Sequence, residues 1–229
     1  MLRCCLTAAL LIVAATPALA LNGVCRGFNF QNDLRAVGLY EVAETGRSYF
    51  IKGPTRERED CPSLSPACRQ RSFLVEGDKV VVNEIEGGFA CANYVNRKGT
   101  DIASWLPLSS LSRVQVQPRW EGRWTTYDGR AVITVESAPN GRMLVSGAAT
   151  YDAGGGALNT GQFAVEGDPS KPEFSFGYYG GRQMSYEEAH AGPKRCAARI
   201  VQLGPYLAVI DNDACGGQNV RFMGLYARQ

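Results

Sequence analysis

Between residues 36 and 227 the chain is cut into short apolar and β-branched runs by repeated turn signals, among them Gly46, Gly87-Gly88, Pro139-Asn140-Gly141, Gly154-Gly155-Gly156, Gly180-Gly181 and Gly204-Pro205. Runs of this length bounded by glycine and proline read as strands. The chain is therefore expected to be all-β and antiparallel. Its length allows either one large β domain or two small ones, each of about 100 residues and able to bury a core of its own.

Residues 73–111 carry the most informative spacing. An apolar run at 73–75 meets the turn Glu76-Gly77-Asp78, a β-branched run follows at 80–82, and after Gly87-Gly88 an aromatic strand reaches Val95. That is a meander of short strands. A polar turn at 96–99 then precedes Ser104-Trp105-Leu106-Pro107, and residues 108–111 read as one helical turn. Gly77-Asp78-Lys79-Val80 and Ser104-Trp105-Leu106-Pro107 resemble the G-D-x-V and G-W-[LVI]-P elements of bacterial SH3-like domains, with Ser104 where the family has glycine. The resemblance covers residues 35–114 and implies an SH3-like small barrel. Such barrels take peptides in aromatic-lined grooves, which implies Tyr49, Phe89, Tyr94 and Trp105 as ligand-binding residues. It further implies peptidoglycan or an envelope protein as the ligand.

The chain begins Met1-Leu2-Arg3, is apolar over 6–15 and reaches Ala18-Leu19-Ala20, the pattern of a secretory signal peptide over residues 1–20. The apolar run is shorter than the ~20 residues that cross a bilayer, so no membrane insertion is expected. Asn22-Gly23-Val24 before Cys25 is not a lipobox. Of eight cysteines, Cys4 and Cys5 belong to the signal, and the remaining six in an exported chain predict three disulfides. Cys61 and Cys68 close a proline-rich surface loop over 53–71. In the last hairpin a turn at Gly204-Pro205 brings Cys196 within a bulge of Cys215. Elimination leaves Cys25 with Cys91, tying an N-terminal arm to the sheet.

Residues 112–118 alternate and then meet Pro118, so a boundary is placed there: a first domain over 21–117 and a second over 118–229. Strands are expected in the second at 131–136, 142–149, 160–165, 173–178, 195–203, 206–211 and 219–227, making a small antiparallel barrel or sandwich. Asp211, Asn212, Cys215, Gly216, Gly217, Val220, Phe222, Gly224 and Tyr226 resemble the ending of a group of secreted proteobacterial proteins with a D-N-x-x-C-G-G-x-x-V-x-F-x-G-x-Y signature. That resemblance implies a fold, not an activity. Trp120 and Trp124 resemble the G-x-W region of lipocalin-like folds, where a tryptophan plugs one barrel end. The stretch from Ser146 to Tyr151 resembles the S-G-x-x-Y loop of periplasmic lysozyme inhibitors, which implies that Ser146 and Tyr151 sit on an inserted loop. Phe73 to Asp78 and Phe163 to Asp168 nearly repeat, and read as two similar turns.

Catalytic signatures are sparse. His190 is the single histidine, expected in a solvent-facing loop, and neither G-x-S-x-G nor H-E-x-x-H occurs. The acid pairs Glu187 with Glu188 and Asp211 with Asp213 read as solvated. Residues 211–222 fail as a calcium loop because Cys215 and Phe222 stand at the fifth and twelfth positions. With one histidine and no C-x-x-C, no metal or other cofactor is expected. Once Arg3 is removed with the signal, 23 basic side chains (24 less one) face 22 acidic ones, which argues against nucleic acid. The resulting expectation is a periplasmic or secreted, non-enzymatic binding protein of the cell envelope. The alternatives are an inhibitor of a lysozyme-type wall hydrolase and a hydrolase with an unrecognised carboxylate site.

Overall fold

Alternating runs such as Ala131–Ser137, Met143–Gly154 and Ala157–Gly167 of the second half, and apolar runs buried on both faces, build two antiparallel sheets in the computed structural model, which describes residues 24–25, 27, 34, 37–95 and 101–229. The signal segment, most of the N-terminal arm and the expected turn at 96–99 lie outside the described residues. The chain is nearly all β, as the turn spacing predicts.

The first seven strands are β1 (Gly38–Val42), β2 (Arg47–Ile51), β3 (Arg69–Val75), β4 (Lys79–Glu86), β5 (Phe89–Val95), β6 (Asp101–Pro107) and β7 (Leu111–Arg113). They form a half-barrel in the order β3-β2-β6-β5-β4-β1-β7, and a 3-10 turn at Leu108–Ser110 links the last two strands in sequence. One face packs Val42, Phe50, Leu74, Val82, Ala92 and Leu106 into a core. The other carries Ile51, Phe89, Cys91 and Trp105, and on it lie the Cys61–Cys68 loop and Cys25. Disulfides join Cys25 to Cys91 and Cys61 to Cys68, in the expected pairs. Two buried amides also hold the arm: Asn83 Nδ2 donates to the Gly27 carbonyl at 2.9 Å, and Asn93 Nδ2 donates to Asn83 Oδ1 at 3.0 Å.

Residues 114–121 then carry the chain to the second sheet, made of β8 (Gly122–Thr126), β9 (Ala131–Ser137), β10 (Met143–Gly154), β11 (Ala157–Gly167), β12 (Glu173–Tyr179), β13 (Arg182–Met184), β14 (Cys196–Leu203), β15 (Tyr206–Asp211) and β16 (Gly224–Arg228). Its order, β11-β10-β9-β8-β16-β15-β14-β12-β13, curls into a nearly closed barrel. The interior is aromatic: Phe163 lies 4.7 Å from Phe176 and 4.8 Å from Phe222, ring centre to ring centre. Gly147 makes room for it, since a Cβ there would stand 2.2 Å from the Phe163 ring. No ladder joins the two end strands. Instead the Gln183 side chain accepts from Glu166 N–H at 2.7 Å and donates to Glu166 C=O at 2.9 Å, as a neighbouring strand would.

The β14–β15 register pairs Leu203 with Tyr206 and Ala198 with Asp211, and the third disulfide joins Cys196 to Cys215 with Cα atoms 4.2 Å apart. Two expectations are corrected here. Residues 219–227 are not one strand: Asp211 accepts from Phe222 N–H at 2.6 Å and from Asp213 N–H at 3.0 Å, which holds the approach to β16 as a loop and drives Val220 and Phe222 into the barrel. His190 does not sit in a loop but ends a one-turn helix, α1 (Tyr186–His190), started by Ser185 Oγ accepting from Glu188 N–H at 3.1 Å. The two similar turns also differ in use. Asp78 accepts from Val75 N–H at 2.8 Å, whereas Asp168 accepts from the Ser170 N–H and hydroxyl.

The sheets meet through Leu39 and Val81 from the first and Leu203, Tyr206, Ala208 and Leu225 from the second. Burial at this junction pushes the Tyr206 phenol up to about 12, with Tyr94, Asp78 and Asp101 adding to the effect.

Candidate functional site

Strand periodicity decides which of the aromatic residues singled out above can meet a ligand. Tyr94 alternates onto the concave core face, packed with Phe50 and Leu106, whereas Tyr49 points to the opposite face. Trp105 is 0 % exposed and Phe89 is 9 % exposed, both beneath the disulfide loop. The four residues therefore do not line one groove. Trp105 and Phe89 build the support, Tyr94 belongs to the core, and Tyr49 alone reaches a cleft.

That cleft, of about 240 Å³, has Tyr49, Ile51 and Pro107 as its floor and Arg47, Arg69 and Leu64 on its rim. Each has a local cause. The register pairs Tyr49 with Phe73 and Ile51 with Arg69, so side chains from two adjacent strands share one face. The Cys61–Cys68 loop, clamped on the core below, presents Leu64 at 70 % exposure. Just before that loop Arg58 bonds Asp60 at 2.9 and 3.0 Å, which holds the Asp60 carboxyl below its ordinary range. Asp60, Cys61 and Cys68 cluster closely enough to hold a metal ion, but both sulfurs are spent in the disulfide.

Across the rim runs an alternating stack. Arg47 lies 4.4 Å from the Phe73 ring centre, Phe73 and Tyr49 are 5.7 Å apart, and Arg69 lies 4.7 Å from the Tyr49 ring. Neither arginine is ion-paired among the described residues, and Glu44 is the one acidic side chain lining the cleft. Guanidinium groups set by ring stacking keep their forked N–H donors free for a planar oxyanion. Among the described residues β3 pairs with β2 alone, so its other edge has no strand partner there. Arg47, Arg69, Phe73 and Leu64 are absent from the aromatic set read from the sequence. The alternations Arg47-x-Tyr49 and Arg69-x-Arg71-x-Phe73 do place like-facing cations and rings on strands.

The remaining candidates resolve into structural parts. Ser146 and Tyr151 are not on a loop: both lie inside β10, paired with β11 throughout and with β9 from Met143 to Ala149. Ser146 Oγ reaches the Thr134 carbonyl at 3.5 Å, while Tyr151 packs against the barrel interior. Beyond Ala149 the β10–β11 hairpin continues without β9, ending in a turn at residues 154–156. His190 stacks on Tyr186, 5.5 Å between ring centres. Glu188 faces Arg195 at 3.5 Å, and Asp213 pairs with Arg221 at 3.0 Å. Burial pushes the Asp211 carboxyl up, against the pull of the backbone N–H groups it accepts from.

The residues of the C-terminal signature are likewise parts of the scaffold. Asn212 accepts from Ala197 N–H at 3.0 Å and donates to the Arg195 carbonyl at 2.8 Å, extending β14, and Tyr226 OH donates to the Phe222 carbonyl at 2.5 Å. Gly216 admits Val220, whose side chain would lie 2.6 Å from a Cβ there. Set against models of protein families, curated proteins and solved structures, the chain matches none.

Proposed function

We propose that this is an exported, non-enzymatic binding protein of the cell envelope that takes a carboxylate-bearing wall peptide or envelope protein in the Tyr49 cleft. The observation that carries this reading is the pair of guanidinium groups of Arg47 and Arg69, stacked on Phe73 and Tyr49 and without an ion pair among the described residues, at the rim of the cleft. Planar carboxylates suit such a fork, and an apolar neighbour on the ligand suits Tyr49 and Leu64. Three disulfide pairs are consistent with an oxidising compartment and support a periplasmic or secreted location. A binding role is also supported by the engagement of Glu188, Asp211 and Asp213 in structural bonds.

The test is retention of the oxidised chain from residue 21 on purified peptidoglycan sacculi and on a whole-envelope protein fraction. Wild type is expected to be retained, and Arg47→Gln/Arg69→Gln to lose retention about tenfold. Undiminished retention of the double variant removes the cleft, and no retention of wild type on either matrix removes the reading.

A second reading, inhibition of a wall hydrolase, is supported by the part of the β10–β11 hairpin that extends past β9, where Leu158 is 64 % exposed. Lysozyme slowed by wild type and not by Leu158→Asp would favour it.

A further inference from the structure

Two larger cavities, of about 320 and 420 Å³, lie against the segment joining the sheets and share Arg119 and Arg228. The first opens at the barrel end occupied by Trp120, whose indole N–H donates to the Lys171 carbonyl at 2.9 Å, and includes Arg142. The second passes over residues 114–117 to Leu39 and Lys79 of the first sheet, so both halves of the molecule line it. Their charge is one-sided. Arg119, Arg142, Arg228 and Lys79 face a single lining acid, Glu121, whose carboxylate accepts from the Ser137 hydroxyl.

The cations differ in how they are held. Arg228 lies 4.5 Å from the Trp124 ring and donates to the Arg119 carbonyl, so its position is fixed. Lys79 and Arg142 have carboxylates at 3.6 and 4.0 Å, from Glu41 and Glu166, all of them exposed enough to exchange partners. The Arg119 side chain has no ion pair among the described residues.

We propose that the two neighbouring cavities, which share Arg119 and Arg228, together bind one ligand carrying two or more oxyanion groups, phosphoryl or carboxylate, along an extended chain that spans the junction of the two sheets. Cations distributed over both cavities match several separated anions better than one compact ion, and guanidinium forks bind either oxyanion in a bidentate manner. This site is independent of the Tyr49 cleft.

Trp120 lines the first cavity and Trp124 lies beneath Arg228, so tryptophan fluorescence reports occupancy, over a background from Trp105 of the first sheet that the Arg119/Arg142 variant shares. The experiment titrates the three-disulfide protein with inorganic tripolyphosphate and, separately, with propane-1,2,3-tricarboxylate, at low salt and at 0.15 M salt. A saturable change with either probe, weakened by salt, is expected, and the stronger probe assigns the ligand to phosphoryl or carboxylate chemistry. Arg119→Gln/Arg142→Gln should raise the apparent Kd at least tenfold. Arg47→Gln/Arg69→Gln should leave it unchanged, which separates this site from the cleft. No saturable change with either probe, or equal affinity in the Arg119/Arg142 variant, overturns the proposal.

Discussion

Trp105 and Trp124 are both fully buried, yet their indole N–H groups fare differently. Trp124 donates to the Trp120 carbonyl at 2.9 Å within its own barrel. Trp105 finds no acceptor among the described residues, and its Nε1 faces the Gly53 backbone beneath the disulfide loop. The contrast extends to the whole of each half. The second sheet curls until its interior is covered by its own strands, so a continuous aromatic core supports it, with one disulfide near a barrel end. The first sheet stays half open, and among the described residues the face bearing Trp105 is covered by the Cys61–Cys68 loop and Cys25, tied down by two disulfides and by the Asn83 and Asn93 amides. A rolled sheet makes its own cover, while an open one must be stapled. The stapled half is also the one that presents the cation–aromatic cleft, because the loop that covers its core forms one wall of that cleft.

The largest expected effect tests the stapling. In the chain-entropy account a bridge closing the 66-residue separation of Cys25 and Cys91 contributes about 4 kcal/mol, against about 3 kcal/mol for the 19-residue Cys196–Cys215 separation and about 2 kcal/mol for the 7-residue Cys61–Cys68 separation. Cys25→Ser/Cys91→Ser should therefore lower amide-exchange protection in β4 and β5 by that amount and leave β14 and β15 near their wild-type values. An equal loss in both sheets would show that the halves unfold as one unit and that the second depends on the first half's staples.

Next in size is the clamp that finishes the barrel. Asp211→Asn exchanges a carboxylate accepting two backbone N–H groups for an amide with one acceptor oxygen, and should cost about 2 kcal/mol at pH 7 by urea denaturation. The sign of the pH dependence follows from burial. The Asp211 pKa is raised in the folded state, so its titration stabilises the wild type as pH falls from neutral through that raised value, until the unfolded chain protonates too. The deficit of the asparagine variant should thus widen on acidification. A deficit that narrows would mean that the ionised form is the better fit and that hydrogen bonding outweighs desolvation.

These cases also mark what the residues alone reveal. The Gly204-Pro205 turn fixes which residues oppose each other in β14 and β15, so that hairpin and its neighbouring disulfide follow from local chemistry. Alternation reveals the strands, and glycine spacing reveals where they end. Facing is harder. Tyr49 on β2 and Tyr94 on β5 are separated by β6, and only the registers Ile51 with Trp105 and Trp105 with Cys91 put them on opposite faces. Ser146 to Tyr151 resembles a loop in its small residues, but Gly147 is small because Phe163 packs over it from the paired strand. That contact spans 16 residues of sequence and has no local trace. The Arg47 and Arg69 stack is hidden for the same reason, since it depends on the register of β2 against β3, where the pairing shifts between Tyr49 and Ile51.

The smallest effect addresses how closed the barrel is. Gln183 stands where a ladder would be, satisfying both backbone groups of Glu166 from a three-residue strand. Gln183→Ala opens only that contact. The freed groups lie at an exposed position and pass to water, so the net loss should be about 1 kcal/mol. The effect should nevertheless be local and legible: Glu166 N–H, protected in the wild type, should exchange at least tenfold faster, while the amides of β14 and β15 keep their rates. If Glu166 exchange does not change, the end strands hold each other by other means and the side-chain amide is incidental. A loss that spreads to β14 and β15 would instead make this one glutamine part of the barrel's cooperative core, and the second half would then depend on a staple as the first one does.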